Sequence, residues 1–125
     1  MAFDWVIDSK EKQITACAED EFTFSDVVSY LDAIAGANVL TYRQLLDFSK
    51  ALTRITPGQA IELGVRMRMQ NGEAMTGPVA IVLTEHQFEP LARLLGIMAT
   101  ADRPMRLFTQ LETAKRWLAS APTGA

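Results

Sequence analysis

Few side chains in this chain are of the kinds that do chemistry, and none stands in a tight pattern. There is one histidine, His86, and one cysteine, Cys17. One of each cannot assemble a His/Cys metal site, and no Asp-x-Asp-x-Asp cluster offers a carboxylate one. The chain has no Gly-x-Gly-x-x-Gly, no Walker loop and no Gly-x-Ser-x-Gly elbow, so no phosphate cradle and no nucleophile on a strained turn is expected. The residues therefore predict no hydrolase or nucleotide-transferase, no metal and no cofactor.

The stretch from Asp47 to Thr56 is the best place for a site. It is read as a loop that leaves the carboxyl end of a central strand and enters a helix, where open α/β sheets bind their ligands. It carries Asp47, Ser49, Thr53 and Thr56. The free amides of a helix N-terminus favour anions, so negative charge there is tolerated. The plainer reading makes Thr56 only a cap and Ser49 only a turn residue.

The remaining candidates have strong structural readings. His86 follows a strand and precedes a helix, but nothing in sequence orients it, which favours a solvent-exposed position. Cys17 in a strand is more often a small hydrophobe than a reactive thiol. Arg54, Arg66 and Arg68 could hold an anion, or Arg66 could pair with Glu62 one turn away. Met67, Met69 and Met75 could line an adaptable apolar groove, with Met67 as core being the simpler assignment. Glu19-Asp20-Glu21 is placed before the first helix, at its positive end.

These residues need elements to position them. Phe3–Ile7 and Gln13–Ala18 read as strands joined by the polar link Asp8–Lys12, hence as an antiparallel hairpin. Thr23 or Ser25 caps a helix whose Val27, Val28, Leu31, Ile34 and Ala35 share a face, and Gly36 and Asn38 stop it. Tyr42–Phe48 reads as a strand buried on both faces, because Leu45 and Leu46 are consecutive. Thr56, Pro57 and Gln59 form a capping-box signature for a helix to about Gln70, closed by Asn71-Gly72. Val79–Leu83 is an unbroken apolar run bounded by Gly77-Pro78, hence a central strand. A helix through Phe88–Met98 follows, complicated by Pro90. Met105–Phe108 is a short strand. Gln110–Ala119 is a last helix with Leu111, Ala114, Trp117 and Leu118 as its apolar stripe.

The order β-β-α-β-α-β-α-β-α predicts an α/β fold with a mixed, mostly parallel sheet of about five strands and about four helices. With 125 residues, 49% hydrophobic and 22% charged, the chain is one domain over 1–120 with a frayed tail over 121–125. A net charge of −3 with scattered basic residues argues against nucleic acid. No stretch reaches the ~18–20 apolar residues of a membrane span. The opening lacks a signal-peptide pattern, and a single cysteine forms no intrachain disulfide. The expected location is the cytoplasm.

Several short stretches resemble a known family. Leu45-Leu46-Asp47-Phe48-Ser49 is similar to the strand end of STAS domains. Val79-Ala80-Ile81-Val82 and Pro90-Leu91-Ala92-Arg93-Leu94-Leu95 resemble the later strand and helix of their SpoIIAA-like branch. Arg106-Leu107-Phe108, Glu112, Ala114 and Trp117-Leu118 resemble its closing strand and helix. The resemblance covers nearly the whole chain. It implies a non-catalytic regulatory module that binds a protein partner. Some STAS relatives are switched by phosphorylation in an Asp-Ser-Ser-Gly loop. The matching stretch here is Arg54-Ile55-Thr56-Pro57-Gly58, so that switch is missing. The alternative function is a small carrier or sensor of an apolar, lipid-like ligand. A homodimer is compatible with either.

Overall fold

The computed structural model describes residues 3–53, 56–71, 77–86 and 105–120. Strands β1 (Phe3–Asp8) and β2 (Gln13–Phe22) form the expected antiparallel hairpin, with Phe3 opposite Ala18 and Asp8 opposite Gln13. Asp8 Oδ1 closes the turn by accepting from the backbone N–H of Lys10 and of Glu11, both at 3.0 Å. Such local bonds are why Asp favours turns. Lys12 completes the turn with φ 53°.

Helix α1 (Phe24–Gly36) starts at Thr23, one of the two caps the sequence offered. Thr23 Oγ1 accepts from the Asp26 N–H at 3.3 Å, and Asp26 Oδ2 accepts from the Thr23 N–H at 2.9 Å. Two amides that the helix leaves free are thus satisfied. Beyond Gly36 the chain turns through Ala37 and Asn38, the latter at φ 60°. Helix α2 (Pro57–Asn71) carries the predicted box too: Gln59 N–H donates to Thr56 Oγ1 at 3.2 Å, and Thr56 N–H to Gln59 Oε1 at 3.1 Å.

Strands β3 (Arg43–Thr53), β4 (Val79–Val82) and β5 (Met105–Phe108) complete a five-stranded sheet of order β1-β2-β3-β4-β5. All neighbours after the first pair run parallel. Helix α3 (Leu111–Ser120) follows β5. A mixed, mostly parallel sheet is therefore observed, with three helices among the described residues. The helix expected over Phe88–Met98, with Pro90, lies outside them, as does the 121–125 tail.

Two strands run longer than the sequence pattern suggested. β2 continues to Phe22, so Glu19, Asp20 and Glu21 lie within the strand and not ahead of α1. β3 continues to Thr53, so Ser49 and Thr53 are strand residues and the expected loop from Asp47 is corrected. The reason is a β-bulge. Cys17 pairs with Asp47 and Glu19 with Lys50, so β3 spends one more residue than β2 between the two pairs. Bulges interrupt the ladder locally and let pairing resume beyond them. A period-2 reading breaks at such a point and mistakes it for a strand end.

The sheet separates two cores. On one face Ile14, Ala16 and Ala18 of β2, with Val79 and Ile81 of β4, pack beneath Tyr30, Leu31 and Ile34 of α1 and Leu63 of α2. On the other, Leu45, Ala80, Val82 and Phe108 pack against Ala114 and Leu118 of α3. Leu45 and Leu46 are consecutive because they serve opposite cores, as a strand covered on both faces requires. Gln44 is the polar residue buried here, 2% exposed. Its Oε1 accepts from the Tyr30 hydroxyl at 2.8 Å, while its Nε2 has no partner among the described residues. No helix among the described residues is long and apolar enough to cross a membrane.

Candidate functional site

Three of the four residues singled out by the sequence divide into two separate local motifs, and Thr53 belongs to neither. Asp47 Oδ1 accepts from the Ser49 N–H at 3.0 Å and from the Ser49 hydroxyl at 2.6 Å. That carboxylate satisfies the amide at the bulge, where ladder bonding is disturbed. Asp-x-Ser thus satisfies the bulge locally while β3 continues to Thr53. Thr53 is the last residue of β3, paired with Phe22. Ser49 and Thr53 are four strand residues apart, about 13 Å at the usual rise. Thr56 caps α2. No hydrogen bond between described residues joins Asp47 or Ser49 to Thr56.

The parallel register also brings together residues that the sequence kept apart. Asp4, Cys17 and Asp47 form one row across β1, β2 and β3. Burial pushes the Cys17 thiol up from its ordinary value, and the carboxylates of Asp47 and Glu19 push the same way; Lys50 opposes them, and Asp4 adds the smallest push upward. A thiolate in such company is disfavoured, because desolvation and neighbouring anions both penalise the charged form. Cys17 is therefore a thiol held in its neutral state. The signal for this row was not in any local motif; it needed the strand pairing.

One prediction follows from the row. Asp47→Asn keeps an oxygen for the bulge bonds but removes the anion next to Cys17. Alkylation of Cys17 by iodoacetamide near pH 8 should then speed up, by less than about tenfold, since one pKa unit is a factor of ten and burial, the larger cause, remains. An unchanged rate would show that the carboxylate does not act on the thiol.

The other candidates take their plainer assignments where they are described. His86 is exposed, just beyond β4. Arg66 Nη2 lies 3.9 Å from Glu62 Oε1 on α2, as the i, i+4 spacing suggested. Met69 is 77% exposed. The Met67 and Arg68 side chains, with Arg54 and Met75, lie outside the described residues. Among the described residues, no group of three or more His, Cys, Asp or Glu could hold a metal ion.

No protein-family model matches the chain. No curated protein matches it either. A solved structure does. The crystal structure of an uncharacterized protein of the DUF3478 family with a SpoIIAA-like fold, from Shewanella loihica PV-4, is similar with a TM-score of 0.61. The two chains share 14% sequence identity, and the likeness covers 94% of each. The fold is SpoIIAA-like. At that identity the likeness concerns architecture, and it agrees with the family resemblance of the short hydrophobic stretches. Within the SpoIIAA-like fold, Asp47 and Ser49 lie where β3 passes the end of its β4 pairing, at the carboxyl end of the parallel strands. Thr56 opens the helix that follows.

Proposed function

We propose that the chain is a non-catalytic regulatory module that binds a protein partner in the manner of STAS domains, without the Asp-Ser-Ser-Gly phosphoswitch. The observation that supports this reading is the SpoIIAA-like sheet and helix plan over nearly the full chain. The proposed face is the carboxyl end of β3 with the start of α2: Asp47, Ser49, Thr53 and Thr56. The expected location stays cytoplasmic, and the reading requires no cofactor.

Chemistry at the two observed hydroxyl sites separates them. A phosphate on Ser49 would stand against the Asp47 carboxylate, whose Oδ1 is 2.6 Å from the Ser49 hydroxyl oxygen. Like charges at that range repel strongly, so Ser49 does not suit a phosphoswitch. Thr56 differs, since it stands at a helix N-terminus, where negative charge is favourable.

The test starts with co-purification of a partner from the source cells and continues with variants. Thr56→Ala should cost about 1 kcal/mol of stability, as loss of a cap does. Thr56→Asp should melt close to the parent, because aspartate also caps, and should change binding of the captured partner. Ser49→Ala tests the bulge side of the same face. If binding is indifferent to both Thr56→Asp and Ser49→Ala, the face lies elsewhere. Native mass spectrometry of freshly purified protein checks the rival class: a retained lipid-sized mass would favour the apolar-ligand carrier.

A further inference from the structure

Helix α2 places three apolar side chains in water. Ile61 is 52% exposed, Val65 49% and Met69 77%. They recur at i, i+4 and i+8, so they form one ridge along the helix. The inward anchor is Leu63, 7% exposed, on the side of the helix turned away from that ridge. Apolar side chains exposed singly are ordinary, but a contiguous row of three rimmed by charge marks an interaction surface.

The charges beside the ridge say what kind of surface meets it. Glu62 and Arg66 each follow a ridge residue by one position, so both lie on the same flank. Their side chains are 54% and 43% exposed, and they stand 3.9 Å apart. Consider a two-fold axis through Val65. The helix then meets its own copy antiparallel, Val65 on Val65 and Ile61 on Met69 of the second copy. The same flanks face each other in reverse order. Glu62 of each chain comes opposite Arg66 of the other, and two cross-chain ion pairs form. This ordering is self-complementary, which is the requirement for an isologous contact.

We propose that the Ile61–Val65–Met69 ridge of α2 is a homodimer contact between two copies of this chain, centred on Val65. The two i±4n ridges run parallel to each other when the helix axes cross near −50°. A standard stable interface covers roughly 800 Å² on each side, more than one three-residue ridge supplies. The dimer is therefore a reversible one, in exchange with monomer, and not an obligate assembly. This surface is separate from the β3–α2 corner assigned to the regulatory partner, and its test does not use Thr56.

Sedimentation velocity of the full chain over a concentration series reads the association directly. The parent should shift from monomer towards dimer as concentration rises. Val65→Glu should remain monomeric while keeping the parent's thermal melt. Glu62→Arg and Arg66→Glu should each remain monomeric alone, because each sets like charges across the axis. Mixed one to one, they should associate again, since every cross-chain pair is then Arg against Glu. The intrachain Glu62–Arg66 pair stays broken in both chains of that mixture, so recovery reports the contact between copies. A parent that is monomeric at every concentration overturns the proposal, as does a Val65→Glu variant that still dimerises. A mixture that stays monomeric overturns it too.

Discussion

Gly77→Ala is expected to destabilise the protein by about 3 kcal/mol, the upper part of the range for forcing atoms into filled space. A Cβ at this position would overlap the backbone carbonyl groups of Tyr42 and Thr41. Backbone does not rotate away as the end of a long side chain does, so the strands themselves must part. Gly77 is also tied in place: its N–H donates to the Leu40 carbonyl at 3.0 Å. One residue on, the Pro78 carbonyl accepts from the Gln44 N–H at 2.9 Å, the first rung between β3 and β4. A typical domain has only ~5–15 kcal/mol in total, so the loss should lower the melting temperature by roughly 10 °C or more. Gly58 is the control. A Cβ there meets nothing within 4 Å, and it lies in the first turn of α2. Gly58→Ala should therefore stabilise by about 0.5–1 kcal/mol through helix propensity. If both substitutions shift the melt alike, the contact of Gly77 with the Thr41–Tyr42 backbone is not what holds β4 in place.

That contrast also marks where the sequence stops being legible. Gly77-Pro78 reads correctly as the boundary of a central strand, because the signal is local. That only glycine fits there depends on a backbone 35 positions earlier in the chain, and no local pattern carries it. The same division holds elsewhere. The capping box of α2 can be read from four consecutive residues, Thr56 to Gln59, whereas for α1 the sequence offers Thr23 or Ser25 and the structure selects Thr23. Leu45-Leu46 announces a strand buried on both faces. The bulge between the Cys17–Asp47 and Glu19–Lys50 pairs breaks the alternation that strand reading relies on. The period-2 pattern therefore ends β2 at Ala18 and β3 at Phe48, and leaves Ser49 and Thr53 in a loop. The row Asp4–Cys17–Asp47 requires knowledge of register, which period-2 patterns do not supply.

The last helix gives the second large effect, and here burial and not size decides the magnitude. The apolar stripe of α3 includes Trp117, and loss of a fully enclosed Trp side chain costs ~3–5 kcal/mol. Phe108 is buried, and its ring lies 5.8 Å from that of Trp117. Trp117 itself is half-buried at the edge of this core, whereas Leu118 is 2% exposed and Ala114 fully enclosed. Removing Leu118 beyond Cβ loses its transfer free energy and also leaves a sealed void, so Leu118→Ala should cost about 3 kcal/mol. Removing the Trp117 ring opens a space that water reaches, so the void contributes little. Trp117→Ala should then fall at the low end of its range, also about 3 kcal/mol, although the side chain lost is far larger. Trp117→Phe keeps an aromatic neighbour for Phe108 and should cost clearly less. Urea unfolding checks all three, with midpoints lowered and slopes unchanged. A Leu118→Ala midpoint equal to the parent's would mean that α3 is not seated on Leu45, Ala80 and Val82. A Trp117→Ala loss well above that of Leu118→Ala would mean that the indole is enclosed and not at the edge.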